Sequence, residues 1–91
     1  MMIIAEVVGS VWATRKVESV MNLKMLLVRP LGANEKPTGE LWAAADVVDA
    51  GPGDRVIVAV GRAARLAVGD DKAAVSAAVI GVVDSMDFAL K

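Results

Sequence analysis

Between Ile3 and Ala13 the residues Ile3, Ala5, Val7, Gly9, Val11 and Ala13 share one parity, while Ile4, Val8 and Trp12 share the other with Glu6 and Ser10. Alternation of this kind predicts a β-strand with one fully apolar face. A second run, Leu23 to Leu31, predicts a strand that ends at Pro30 and the breaker-rich loop Gly32 to Gly39. Glu40 to Val48 is read as a third strand, although Ala43, Ala44 and Ala45 also suit a helix. Asp49 to Asp54 is a turn, and Gly51-Pro52-Gly53-Asp54 is read as a hairpin turn in which Gly51 and Gly53 can take positive φ. Arg55 to Val60 is apolar on both parities, the pattern of a strand covered on both faces. Arg62 to Val68, held between Gly61 and Gly69, predicts a helix of about two turns. A second short helical turn is expected from Asp70 or Asp71, and a last strand from Ala77 to Phe88.

Five strands, one or two short helices and glycine-marked bends at Gly9 and Gly81 predict an all-β fold, a small five-stranded OB-like β-barrel. The length of 91 residues allows a single domain, residues 1–91. A domain of this size buries only about 60 to 65% of its surface when alone, and the chain has no cysteine to staple it. Oligomerisation is the expected remedy. It also accounts for an apolar excess: Ile4, Val8 and Trp12 fall on the outward parity of the first strand, and the fourth and fifth strands are apolar on both sides. Neighbouring subunits are expected to cover these faces; helices packed on the barrel are the other account.

Charge and composition then remove most chemistries. Ten basic residues against eleven acidic ones give a net charge of −1 with no basic field, which argues against nucleic-acid and anionic-membrane partners. No apolar run reaches the length of a membrane span and the start lacks the form of a signal peptide, so a cytoplasmic protein is expected. Without Cys or His, the usual zinc, haem, iron–sulfur and thiol chemistries are excluded, and no metal or other cofactor is expected. Carboxylates are the remaining catalytic material. Asp46, Asp49 and Asp54 surround a turn, and Asp70-Asp71 adjoin a helix start, where turn formation and capping explain them. No catalytic residue is assigned. Arg15-Lys16 and Arg62 to Arg65 are small basic spots without the aromatic platform that base stacking needs.

Several stretches together resemble the EutN/CcmL family. Gly9 to Lys16 is similar to its first-strand motif, Lys24 to Leu31 to its second strand, and Ala44 to Val56 to its acidic, glycine-marked turn leading into a buried strand. Gly61-Arg62-Ala63-Ala64-Arg65 and Ile80-Gly81-Val82-Val83-Asp84 complete the pattern in order. Asp49 departs from it where Gly is more usual, Arg62 where a small residue such as Ser is, and Asp71 to Ala74 where Pro-x-Asp-Ala is. The resemblance implies a structural protein of a bacterial microcompartment shell in the cytoplasm. Homopentamers would cap the five-fold vertices of a polyhedral shell whose facets are hexameric shell proteins. Val8, Trp12, Thr14 and Lys16 become candidate subunit-interface residues, and Gly61 and Arg62 candidates for the axial pore. The alternatives are an OB-fold binding module for single-stranded nucleic acid or another small ligand, and a small carboxylate-dependent enzyme.

Overall fold

The computed structural model describes residues 1–11, 18, 23–32, 36–37 and 39–84. Within them lie β1 (Met2–Val11), β2 (Lys24–Pro30), β3 (Trp42–Asp46), β4 (Arg55–Val60), α1 (Arg62–Ala67) and β5 (Ala77–Val82). The strands close into a barrel in the order β1-β2-β3-β5-β4. All neighbours are antiparallel except β3 and β5, which run parallel and pair only at Ala45 with Ala78 and at Asp46 with Val79.

Two glycine-marked bends were expected, and a bulge sits beside each glycine. Along β1 the register passes from Val7 opposite Val28 to Gly9 opposite Leu27, so Val8 is the extra residue. Along β5 it passes from Val79 opposite Val58 to Gly81 opposite Ile57, so Ile80 is the extra one. Each bulge raises local twist, which a barrel of so few strands needs in order to close.

The inward parity fills the barrel with Ala5, Val7, Leu26, Val28, Ala44, Val56, Val58, Ala77 and Val79, and Ala50 plugs it from the β3–β4 connection. Each fully buried Leu or Val there stabilises the fold by about 1.5–3 kcal/mol relative to exposure. A second apolar layer lies on the outer surface. Met25, Ala45 and Ala78, in register across β2, β3 and β5, are covered by Ala64 of α1 together with Val68, Ala73 and Val75. This layer explains the alanine run 43–45 as strand rather than helix. Ala44 suits a narrow barrel interior, and Ala45 lets the helix approach the sheet closely. It also corrects the assignment of the outward apolar surplus to neighbouring subunits alone, because the chain's own helix covers much of the surplus on β5.

Three boundary expectations change. The turn at Gly51 to Asp54 closes, with the Asp54 N–H donating to the Gly51 carbonyl at 3.0 Å, but it joins β3 to β4, which are not neighbours. It is therefore no hairpin turn; it docks on β1, where the Gly53 N–H donates to Val7 O and the Val7 N–H to Asp54 O. Positive φ occurs at Gly53 (91°) and at Asp49 (59°) rather than at Gly51. At Asp70 the chain forms a turn instead of a second helix: the Ala73 N–H donates to Asp70 O, and Asp70 Oδ1 accepts from the Lys72 N–H. The last strand stops at Val82, six residues before the expected end at Phe88, and residues 85–91 lie outside the described residues.

Candidate functional site

Of the expected interface residues, Trp12, Thr14 and Lys16 lie outside the described residues. Val8, at the β1 bulge, is 37% exposed, and its neighbour Val7 is tied to the turn that opens β4. Gly61 stands at the other end of the barrel, where β4 finishes and the Val60 N–H donates to Met1 O. Val8 and the Gly61–Arg62 corner are thus not brought together.

Gly61 precedes α1 with φ 67° and ψ −136°, a conformation essentially restricted to glycine, and its N–H donates to Ser76 O at 2.9 Å. The Arg62 side chain is exposed, and its Nε donates to Asp71 Oδ1 at 3.3 Å. Arg65 Nε donates to the Asp71 carbonyl at 3.0 Å, so both arginines fasten the 70–73 turn to the helix. Gly69, with φ 82°, ends the helix between them.

A cavity lies beside the start of β3. β5 begins at Ala77 and pairs with β3 at Ala45 and Asp46, so Trp42 and Ala43 extend past its start, and a slot opens there at the end of the barrel where β4 finishes. Its cavity measures about 630 Å³. It is lined by Trp42 and Ala43 of β3, Val60 and Gly61 at the end of β4, Ser76 and Ala77 at the start of β5, and Met1. Trp42 is half-buried, whereas Ala43 and Ser76 are exposed. No sequence pattern pointed to this slot. The one usable signal was Trp42 beside a small residue at the start of a strand.

At the far end of β3, Asp46 organises the connection to β4. Its side chain is fully buried, Oδ1 accepts from the Val48 N–H at 3.1 Å, and Oδ2 accepts from the Ala50 N–H at 3.0 Å. Lys24 Nζ reaches Asp46 Oδ2 at 3.3 Å, Asp49 Oδ1 at 3.0 Å and the Ala50 carbonyl at 3.1 Å. The hydrogen bond to Asp49, then that to Asp46, raises the Lys24 pKa above its ordinary 10.5. This clasp fixes backbone and offers no convergent ligand set. Among the described residues no group of three or more acidic side chains could hold a metal ion. No helix among them is long and apolar enough to cross a membrane.

Residues 2–84 match the family described as "Ethanolamine utilisation protein EutN/carboxysome". The chain belongs to the EutN/CcmL family. This EutN/CcmL protein is 38% identical over 86 residues to the bacterial microcompartment shell vertex protein GrpN of Rhodospirillum rubrum (strain F11), covering 94% of this chain and 97% of that relative. It is 36% identical over 86 residues to the carboxysome shell vertex protein CcmL of Synechocystis sp. (strain ATCC 27184 / PCC 6803 / Kazusa), covering 94% and 86%. The solved GrpN pentameric microcompartment shell protein from Rhodospirillum rubrum superposes with a TM-score of 0.86 at 35% identity, covering 94% of this chain and 98% of that one. The closed five-stranded barrel with one short helix is the fold of these relatives. The relatives, named as shell vertex proteins, favour a shell role over the OB-fold binding module.

Proposed function

We propose that five copies of this chain close into a ring that fills the five-fold corners of a bacterial microcompartment shell, a structural and non-catalytic role. The observation that carries this reading is the match over nearly the whole chain, in sequence and in fold, to a pentameric shell protein. The physical need is closure. A flat sheet of hexameric tiles has no curvature, and replacing the six-fold unit by a five-fold one at each corner turns the sheet into a polyhedron. A cyclic ring needs two different, mutually complementary surfaces on each chain, and a small barrel with apolar residues left on its outside supplies the driving force.

In this ring the Gly61–Arg62 corner faces the axis. The conformation of Gly61 turns the chain sharply there, and the exposed Arg62 lies beside Asp71, so five Arg62–Asp71 ion pairs would ring the axis. The test of the vertex role is co-assembly with hexameric shell proteins. Closed polyhedral particles are expected when this chain is present, and open sheets or tubes when it is absent. Closed particles of equal yield without it would overturn the role.

A further inference from the structure

We propose that residues 62–75 form a hinged cover, which lifts from the outside of the barrel as one unit while the five strands stay closed. This motion lies within one subunit and is independent of the ring reading above.

The topology supplies the neck of the cover. β4 and β5 are antiparallel neighbours, and their pairing runs to Val60 opposite Ala77, the last residue of one strand and the first of the other. Just outside that pair, the Gly61 N–H donates to Ser76 O at 2.9 Å. Residues 62–75 are therefore an excursion whose two ends are already pinned together, and the β4–β5 ladder does not pass through them. Gly61, at φ 67° and ψ −136°, places the least restricted residue type at one side of the neck, where a hinge has to absorb a change of direction.

Two kinds of contact hold the excursion, and they act in different places. Its hydrogen bonds link its own parts: the Val68 N–H donates to Ala64 O, the Asp70 N–H to Arg65 O and the Ala73 N–H to Asp70 O, so helix and following turn are continuous. Arg62 and Arg65 add to this by donating to Asp71. Against the barrel, by contrast, Ala64, Ala73 and Val75 bury small apolar side chains on Met25, Ala45 and Ala78. An alanine methyl removes far less area from water than a leucine or a valine, so the excursion is held down more weakly than the strands below it are held together. Segments with little buried apolar area open at a lower free energy than the core they lie on. The barrel interior does not share this weakness, because Val56, Val58 and Val79 pack there against one another and not against the cover. Lifting uncovers the outer row Met25, Ala45 and Ala78, which runs across the shortest strand pairing of the barrel, that of β3 with β5.

Residue-resolved amide hydrogen exchange on the assembled protein, at one fixed subunit concentration, tests the motion. In the wild type the amides of Val68, Asp70 and Ala73 should share one degree of protection, at least about tenfold below that of the most protected amides of β4 and β5. Val58→Ala leaves a cavity inside the barrel and should lower the protection of β4 and β5 by about tenfold or more. It should leave the cover amides unchanged, because position 58 stays buried when only the cover lifts. Val75→Ala removes apolar contact from the cover itself and should lower the protection of Val68, Asp70 and Ala73 together by about tenfold. If Val58→Ala does not fold, Val28→Ala, another interior residue, takes its place. Equal protection of cover and barrel in the wild type would overturn the proposal. So would a fall in the cover amides of Val58→Ala that matches the fall in β4 and β5, since the segment would then open only with the whole barrel. A fall confined to the Ala73 amide in Val75→Ala would show that helix and turn do not move as one unit, and would overturn it as well.

Discussion

Asp46→Ala removes the carboxylate that holds the β3–β4 connection, and the structure sets the size of the loss. The carboxylate accepts two backbone N–H groups and faces one ammonium. Val48 is 37% exposed, so water can replace its lost acceptor at little cost. Ala50 is 1% exposed and sits in the mouth of the barrel, so its N–H would stay buried without a partner, a penalty of about 1–3 kcal/mol. With the Val48 N–H resolvated, the expected destabilisation is that buried penalty, about 1–3 kcal/mol. Asp46→Asn keeps one acceptor oxygen and should lose about half as much. Denaturant unfolding at one fixed subunit concentration is the assay, because assembly couples apparent stability to concentration. A loss below about 1 kcal/mol for Asp46→Ala would refute the claim that this side chain supports the connection.

Gly61→Ala meets no atom within 4 Å, yet it forces φ 67° with ψ −136° on an L side chain, so it should cost about 1–3 kcal/mol in the same assay. A neutral result would mean that the corner relaxes without strain. Lys24, whose pKa is raised by its carboxylate partners, contributes stability that is fully present below pH 10.5 and is lost as the pH rises through its folded value. The stability difference between wild type and Lys24→Met should therefore be flat from pH 8 to pH 10 and shrink above that, and a difference that persists unchanged at the alkaline end would count against the clasp. Arg62→Ser gives up an exposed pair with Asp71 that contributes little. Denaturant unfolding should shift by less than about 1 kcal/mol at any salt concentration, and a larger loss would show that the pair supports the corner.

The local elements were legible because their signals are local. Pro30 ends β2, Gly61 and Gly69 bracket α1, and β4 shows apolar residues on both parities because Val56 and Val58 face the barrel while Ala59, in register with Ala78, lies on the outer side. Partnership between strands was not legible in the same way. The residues of Gly51 to Asp54 dictate a turn, but whether the following strand returns beside β3 or crosses to β1 is decided by packing elsewhere in the chain. The bulge at Val8 shifts strict alternation by one residue, so parity counted from Ile3 loses its meaning past Val7. Asp46 was read as a turn residue, and it is one. Its ion pair with Lys24 joins the start of β2 to the end of β3, a contact that follows from register and leaves no mark in the sequence. The slot is equally nonlocal, since it lies where the start of β3 extends past the start of β5.

The central claim is the number of copies in the ring, and native mass spectrometry counts them directly. The account predicts one dominant species of about 47 kDa, five times the chain mass of 9.4 kDa. A folded monomer at micromolar concentration, or a six-copy species of about 56 kDa, would contradict it.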